Sequence, residues 1–241
     1  MLSIIIPTLN EEEYLPSLLE SITRQKFRDY EIIVADAGSR DRTLDIARKY
    51  NCRIVAGGPP AKGRNEGAKV AKGDSLLFLD ADVILPQKFF RKALFEFKAK
   101  KISFGTFVLT PYPKNKIPDL FFNALYNKQA VFFEKFSPHA AVAILMKKEI
   151  FKKLNGYDET IKLAEDHDLA KRAKKIAKFS FLKSTKVFVS NRRFKQDGWS
   201  TTIAKYVFCE LHMALIGPIK SDILKYKFGH YSYNPKNKSH I

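Results

Sequence analysis

Short apolar runs alternate with longer stretches of helical period through the first hundred residues. Ser3–Pro7 (SIIIP), Glu31–Ala35 (EIIVA) and Ser75–Leu79 (SLLFL) are continuous apolar segments, as strands covered on both faces require. Arg53–Ala56 is a further short strand. Between these runs, Glu11–Arg24 sets Leu15, Leu18, Leu19 and Ile22 at helical spacing. Asp41–Tyr50 predicts a helix with Asp41 or Ser39 as its N-cap, and Lys62–Ala71 predicts a shorter one. Strands and helices in this alternation form parallel βαβ units, whose ligands bind beyond the carboxyl ends of the strands. The fold class is α/β.

The second half is less regular. Pro86–Lys98 reads as a helix and Ser103–Thr110 as a strand, after which Pro111-Tyr-Pro113 breaks the chain. Apolar residues cover a broad helical face over Ile117–Phe136. Ala140–Met146 predicts a strand, Lys148–Leu154 a short helix ended by Asn155-Gly156, and Glu165–Lys178 a basic helix. Short strands follow near Phe179–Leu182 and Val187–Ser190, then a helix over Trp199–Ile216 that stops at Gly217-Pro218. The last dozen residues, rich in Lys, Tyr and His, are expected to be loosely ordered. With no repeat and no linker-like composition, the chain divides into one domain, 1–198, and a C-terminal helical extension, 199–241.

The 241 residues are 45% hydrophobic and 28% charged, which excludes a mostly disordered polymer and suffices for a sizeable core. Cys52 and Cys209 are too few for a disulfide framework or a structural zinc site. No stretch approaches the roughly 18 apolar residues of a membrane span, and the N-terminus turns acidic at once, unlike a signal peptide. These features predict a cytoplasmic protein. Charge is unevenly placed: 17 Lys+Arg against 14 Asp+Glu over residues 1–100, and 26 against 11 over 101–241. Such an excess suits an anionic partner, whether a phosphorylated substrate, a membrane surface or nucleic acid. A solvated, Lys-rich surface fits as well, because the lysines are scattered.

Asp80-Ala81-Asp82 follows the SLLFL run directly. Two carboxylates one residue apart at a strand end repel each other unless a cation neutralises them. A divalent ion with oxygen ligands does that and can bridge the phosphates of a nucleotide; a solvated or helix-capping turn is the plainer reading. Asp36 ends EIIVA and precedes Ala37-Gly38-Ser39. A carboxylate there accepts hydrogen bonds from a base or a ribose, or closes an Asx turn. Pro7-Thr8-Leu9-Asn10-Glu11 occupies the same edge after the first strand. Neither GxGxxG nor GxxxxGK[ST] is present, so neither a dinucleotide fingerprint nor a P-loop accounts for these three edges.

The blocks SIIIPTLNEEEYL, EIIVADAGSRDRT and GRNEGAKVAKGDSLLFLDADV, followed by AVAILMKKEIFKKLNGYDE and AEDHDLAKRAKK, resemble the family-2 glycosyltransferases over about residues 2–197. The resemblance implies a single GT-A domain, Rossmann-like with a mostly parallel mixed sheet, that uses a nucleotide-diphosphate sugar donor. By the same resemblance Pro7, Thr8, Leu9 and Glu11 line the nucleotide pocket, Asp36 holds the base, and Arg64 lies near the base or phosphates. Asp80 and Asp82 flank the sugar and a Mn2+ or Mg2+ ion, and Asp166 is the catalytic base. Arg192 or Arg193 meets the diphosphate. Each position has a plainer reading: Arg64 opens a helix, Glu165 and Asp166 complement a helix N-terminus, and Arg192 and Arg193 are surface charge. His139 and His167 are not assigned to the metal, since a lone histidine is more often structural.

The implied reaction inverts the anomeric carbon in one displacement. Metal and arginine stabilise the departing diphosphate, while Asp166, kept ionised by its helix N-terminus, takes the proton of an acceptor hydroxyl. That hydroxyl is expected on a glycan or a lipid-linked glycan. A polyprenyl phosphate, already anionic, is the alternative acceptor. A sugar-nucleotide nucleotidyltransferase is a further one, though it calls for a Gly/Arg-rich loop where this chain reads PTLNEEE. A nucleic-acid partner leaves the acidic strand ends without purpose. The basic half and the aromatic stretches Leu120-Phe121-Phe122, Val131-Phe132-Phe133 and Tyr206-Val207-Phe208 add an expectation of peripheral contact with an anionic membrane, at the inner face of the cell membrane. Packing of these aromatics into the core is the competing reading.

Overall fold

β1 (Leu2–Thr8) and β2 (Tyr30–Asp36) lie side by side in parallel, with Thr8 directly opposite Asp36. The computed structural model describes residues 1–113, 127–132, 134 and 140–221. Among these, β3 (Arg53–Ala56) continues the parallel set beyond β2, and β4 (Ser75–Leu79) flanks β1 on its other side. β5 (Val83–Ile84), β6 (Phe104–Tyr112), β7 (Ala143–Lys147) and β8 (Phe179–Ser190) complete one eight-stranded sheet of order β3-β2-β1-β4-β7-β6-β8-β5. β7 runs antiparallel to β4 and β6, and β5 antiparallel to β8, so the sheet is mixed but mostly parallel. The carboxyl ends of β1, β2 and β4 therefore share one edge.

Alternate residues of the central strands face two apolar layers. Ile4 and Ile6 pack with Leu15, Leu18 and Ile22 of α1 (Leu15–Thr23) and with Phe89 and Phe90 of α4 (Phe89–Ala99). Ile5, Ile33 and Phe78 point the other way, toward α3 (Pro60–Val70), α6 (Lys148–Lys153) and α7 (Glu165–Lys174). At Gly67 α3 comes so close to β1 that an added Cβ would collide with the Ile5 side chain. α2 (Thr43–Lys49) and α5 (Lys128–Phe132) are short. α8 (Arg192–Gln196) and α9 (Trp199–Leu215) end the described chain.

Several boundaries differ from the sequence expectation, each for a local reason. The first helix starts at Leu15, with Pro16 in its first turn, rather than at Glu11. Residues 11 and 12 instead tie to the α2 loop, through Glu11 N–H to Thr43 Oγ1 (2.8 Å) and Glu12 N–H to Asp41 Oδ2 (2.9 Å). Asp41 accepts the Thr43 N–H at the start of α2, whereas Ser39 turns to Asp36. Pro111 does not break β6, which runs on to Tyr112. Beyond Thr106 no β7 residue pairs with β6, and at Leu109 the Asn127 amide fills that side, so a missing N–H at Pro111 interrupts no ladder. The two strands expected over 179–190 are one, β8, with a register shift opposite Phe107/Val108. The extra residues bulge out, and the Glu96 carboxylate accepts the N–H groups of Lys183 and Ser184. The basic helix ends at Lys174 rather than Lys178. Of the stretch 117–136 only 127–132 and 134 are among the described residues; His139 and the last dozen residues lie outside them.

Candidate active site

Thr8 and Asp36, set opposite each other by the β1–β2 register, form the floor of the strand-end edge. The buried Asp36 carboxylate accepts Thr8 Oγ1–H (2.9 Å) and Ser39 Oγ–H (2.5 Å) on Oδ1, and the N–H groups of Gly38 (2.9 Å) and Ser39 (2.8 Å) on Oδ2. A carboxylate has about four acceptor positions, so the protein itself fills them. A base N–H would have to replace one of these bonds. Pro7 and Leu9 lie half-buried at the same edge, and Asn10, at φ 54, turns the loop so that its side chain accepts the Arg40 N–H.

The Asp80-Ala81-Asp82 pair is separated by two arginines. Arg64, only 4% exposed on α3, reaches Asp80 Oδ1 (2.7 Å), Glu165 Oε1 (2.5 Å) and Asp166 Oδ2 (3.6 Å). Arg192 opens α8 and grips Glu11 through two parallel bonds of 2.8 and 2.9 Å. Its Nε lies 2.9 Å from Asp82 Oδ2 without hydrogen-bond alignment, and its guanidinium stands 4.6 Å over the Tyr14 ring. Each aspartate of the pair therefore has one guanidinium beside it, which leaves the expected divalent ion neither required nor excluded. Arg193 feels Asp82 and Asp80 as well. Two strained residues fix this geometry: β-branched Val142, at φ 66, accepts the Asp80 N–H, and Ala164, at φ 64, begins α7.

Asp166 is held from two sides. Tyr157 donates its hydroxyl to Asp166 Oδ1 (3.0 Å), and Arg64 lies 5.3 Å from the centre of the Tyr157 ring. The Asn65 side chain grips the Tyr157 backbone by both its N–H (2.9 Å) and its carbonyl (3.0 Å), over the Asn155-Gly156 turn that ends α6. A Cβ at Gly156, whose φ is +71°, would sit 2.5 Å from Asn65 Oδ1.

Burial governs the protonation of these groups. It pushes Asp166 up to about 7 against the pull of Arg64, and Glu11 up to about 7 against Arg192. The α7 N-terminus therefore does not keep Asp166 fully ionised as expected; desolvation outweighs it. Asp82 is raised by burial too, while the surrounding carboxylates hold Arg64 and Arg192 above the usual arginine value in spite of burial. Five carboxylates (Glu11, Asp80, Asp82, Glu165 and Asp166) share three guanidinium groups at this edge.

Every position predicted from sequence falls at this edge except that Asp36 is spent internally. Local pattern did not reveal Tyr14, Asn65 or the Tyr157 hydroxyl; the signals for Tyr157 are its place just after Asn155-Gly156 and the family resemblance, which sets substrate contacts near Asn155-Gly156-Tyr157-Asp158. Among the described residues no three His, Cys, Asp or Glu side chains are grouped as a metal cage. The donor set that does exist is two carboxylates, whose arginine contacts are at Asp80 Oδ1 and Asp82 Oδ2. Hard oxygen donors of this kind suit Mn2+ or Mg2+ when a ligand's own oxygens complete the shell.

Residues 3–154 match the family model of glycosyl transferase family 2. An uncharacterized glycosyltransferase of Haemophilus influenzae is 30% identical over 188 residues, which span 70% of this chain and 60% of that protein. The chain thus covers less than two thirds of that relative's length. Among solved structures, Staphylococcus aureus TarS 1-349 in complex with UDP superposes with a TM-score of 0.67 at 21% identity, covering 94% of this chain and 75% of that one. The mannosyltransferase PcManGT from Pyrobaculum calidifontis, in complex with GDP-Man and Mn2+, gives 0.66 at 17% identity, covering 90% and 70%. At these identities the likeness shows the fold, a GT-A domain.

Proposed function

Because the chain belongs to glycosyl transferase family 2, we propose that it transfers a sugar from a nucleoside diphosphate to an acceptor hydroxyl, inverting the anomeric centre. The observation that carries this reading is the Arg64 junction, where one buried guanidinium joins Asp80 on the donor side to Asp166 on the other. The site thereby sets an acidic pair and a candidate base at one strand-end edge.

Asp80 and Asp82 would hold a divalent cation, Mn2+ or Mg2+, which when bound neutralises diphosphate charge as a Lewis acid. UDP and GDP-Man occupy structures of this fold, and one of those holds Mn2+, which supports a nucleotide-sugar donor and a cation here. Glu11, Thr8, Pro7 and Leu9 shape the nucleotide side of the edge, with Asp36 bracing the loop between them. Arg192 and Arg193 lie beside Asp82 and would meet the diphosphate, Arg192 leaving Glu11 to do so. Their charge stabilises the leaving group as the glycosidic bond lengthens. Asp166, with a pKa of about 7, is matched to accepting the hydroxyl proton near neutral pH.

A panel of nucleotide sugars, scored for nucleoside-diphosphate release with and without chelator, tests the donor and the cation together. Release is expected only with metal, and Asp82→Asn should abolish it while the thermal midpoint persists. Undiminished release by that variant, or in excess chelator, would remove the cation from the reading. The acceptor proposed is a glycan or lipid-linked glycan hydroxyl. A wild-type transfer rate in Asp166→Asn would point instead to an acceptor that brings its own negative charge, such as a polyprenyl phosphate.

A further inference from the structure

α9 presents to solvent a face without charge. The exposed residues on this face are Ala204, Val207, Phe208, Leu211 and Leu215, while Ser200 and Thr201 are exposed at its start and Tyr206 on another side; no exposed side chain described on this helix is ionic. Leu211 is 56% exposed, Leu215 82% and the following Ile216 77%. At 100° per residue, positions 204, 207, 208, 211 and 215 fall on one side of the helix, opposite the buried Thr202, Cys209 and Met213. In a chain with 28% charged residues, about three turns of uncharged surface among the described side chains form a distinct feature.

Lysines rim the carboxyl end of this face. Lys171 of α7 donates its ammonium to the Met213 carbonyl (3.1 Å), and the Lys162 N–H bonds Ile219 O (2.8 Å). Lys220 follows at once, its ammonium 3.7 Å from the Asp158 carboxylate, and all three of these lysines are exposed. The chain beyond carries Lys225, Lys227, Lys236 and Lys238 against one acid, Asp222, with Tyr226, Phe228, Tyr231 and Tyr233 among them. An apolar strip beside a cationic margin is the complement of a bilayer surface: acyl chains for Leu211 and Leu215, anionic headgroups for the lysines.

The strip also stands next to the candidate active site. At its start Trp199 stacks on Phe194 at 4.3 Å, two residues beyond Arg192. At its end Leu163 bridges Ile219, immediately ahead of Ala164-Glu165-Asp166. We propose that the outward face of α9, with its Lys162, Lys171 and Lys220 margin, docks in the plane of a bilayer containing anionic lipid. That attachment would hold the site beside the lipid surface, where a lipid-borne acceptor would meet it. The docking itself does not depend on the reading of the chemistry.

Vesicle co-sedimentation of the full chain decides the matter, using phosphatidylcholine alone and phosphatidylcholine mixed with phosphatidylglycerol. The expected result is binding to the mixed vesicles at low salt and loss of most of it at high salt, since each basic residue near such a surface strengthens binding about fivefold. The double variant Leu211→Glu/Leu215→Glu should cut binding at least about tenfold with an unchanged thermal midpoint, because both positions are exposed. Lys162→Glu/Lys220→Glu is the second probe and should weaken binding to mixed vesicles only. Three results would overturn the proposal. One is no sedimentation with mixed vesicles at low salt. Another is binding indifferent to the leucine variant, which leaves diffuse lysine charge as the cause. The third is a dimer of the wild type that the leucine variant dissociates, which makes a second copy the occupant of the face.

Discussion

The two arginines that flank Asp80-Ala81-Asp82 solve similar electrostatic problems by different means. Arg64 projects from the middle of an eleven-residue helix wedged against β1, and it faces three carboxylates. Arg192 belongs to a five-residue helix between β8 and α9, and it faces two, one of them by a bidentate grip. The first is a joint of the fold, tying α3 to β4 and α7 across a hundred residues of sequence. The second sits on a short element whose only buried side chain is Phe194, and its partners, Glu11 and Asp82, lie at the strand-end edge. If Arg192 leaves Glu11 for the donor, as proposed above, the same kind of ion pair serves as scaffold in one place and as an exchangeable clamp in another.

The largest effect expected from breaking this contrast is at Arg64. Arg64→Met leaves Asp80, Glu165 and Asp166 without their shared cation in a buried setting. Breaking a buried pair on one side typically costs about 3–5 kcal/mol, reduced here where the acids can take up protons. Urea unfolding should show most of that loss, together with loss of turnover. Arg64→Lys keeps the charge but cannot fork to three acceptors, and should recover only part of the stability. An Arg64→Met protein as stable as wild type would remove the scaffold role.

Next in size is Asp166→Asn, which should lower kcat by roughly 10²–10⁴-fold with the donor KM nearly unchanged. The pH dependence follows from the same carboxylate. In the free enzyme kcat/KM should rise tenfold per unit below about pH 7 and level off above it, as the buried acid ionises. Stability runs the other way. Asp166 and Glu11 hold protons in the folded state that the unfolded chain releases near 4, so their contribution is complete below about pH 4 and fades as pH rises toward 7. Thermal midpoints across that interval should fall with rising pH, and the fall should be shallower in the Asn variant.

Arg192→Gln sharpens the contrast from the clamp side. Glu11, already near 7, can protonate when its partner leaves, so the unfolding free energy should change by less than in Arg64→Met. The donor should suffer instead: nucleoside-diphosphate affinity in the presence of Mn2+ should weaken by about tenfold or more, as loss of a charge-assisted phosphate contact implies. Calorimetric titration of UDP and GDP measures this directly. Unchanged affinity would return Arg192 to a purely structural pairing with Glu11.

How much of this was legible beforehand follows from the range of each signal. Asp36, Asp80 and Asp82 were placed at one edge by strand periodicity alone, since a run such as SLLFL fixes where a strand ends. Arg64 meeting Glu165 was not legible, because nothing local announces a partner 101 positions away. The splitting of residues 179–190 into two strands failed for a related reason. Lys183-Ser184-Thr185 reads as a polar turn, and only the neighbour β6 and the Glu96 carboxylate show it to be a bulge in one strand. Burial was equally hidden. Asp166 at the head of a helix suggests an ionised group, whereas the burial that raises it appears only in the folded packing.

The finest distinction between scaffold and clamp lies at Tyr157. Its hydroxyl donates to Asp166 and its ring borders Arg64, so it could act as packing alone or as the group that positions the candidate base. Tyr157→Phe removes the hydroxyl and keeps the ring, with Asn65 still holding the backbone on both sides. A hydrogen bond to the ionised carboxylate favours that form, so its loss should raise the Asp166 pKa further. Arg64, Glu165 and Asp80, the other charges bearing on Asp166, remain in place. A bond worth about 1 kcal/mol corresponds to a shift of roughly 0.7 unit, since one unit is about 1.4 kcal/mol. The midpoint of the kcat/KM profile should move upward by about that amount, while the plateau at high pH and the donor KM change little. A packing role would leave the midpoint where it was, and a large drop on the plateau would mean that the hydroxyl itself touches the acceptor.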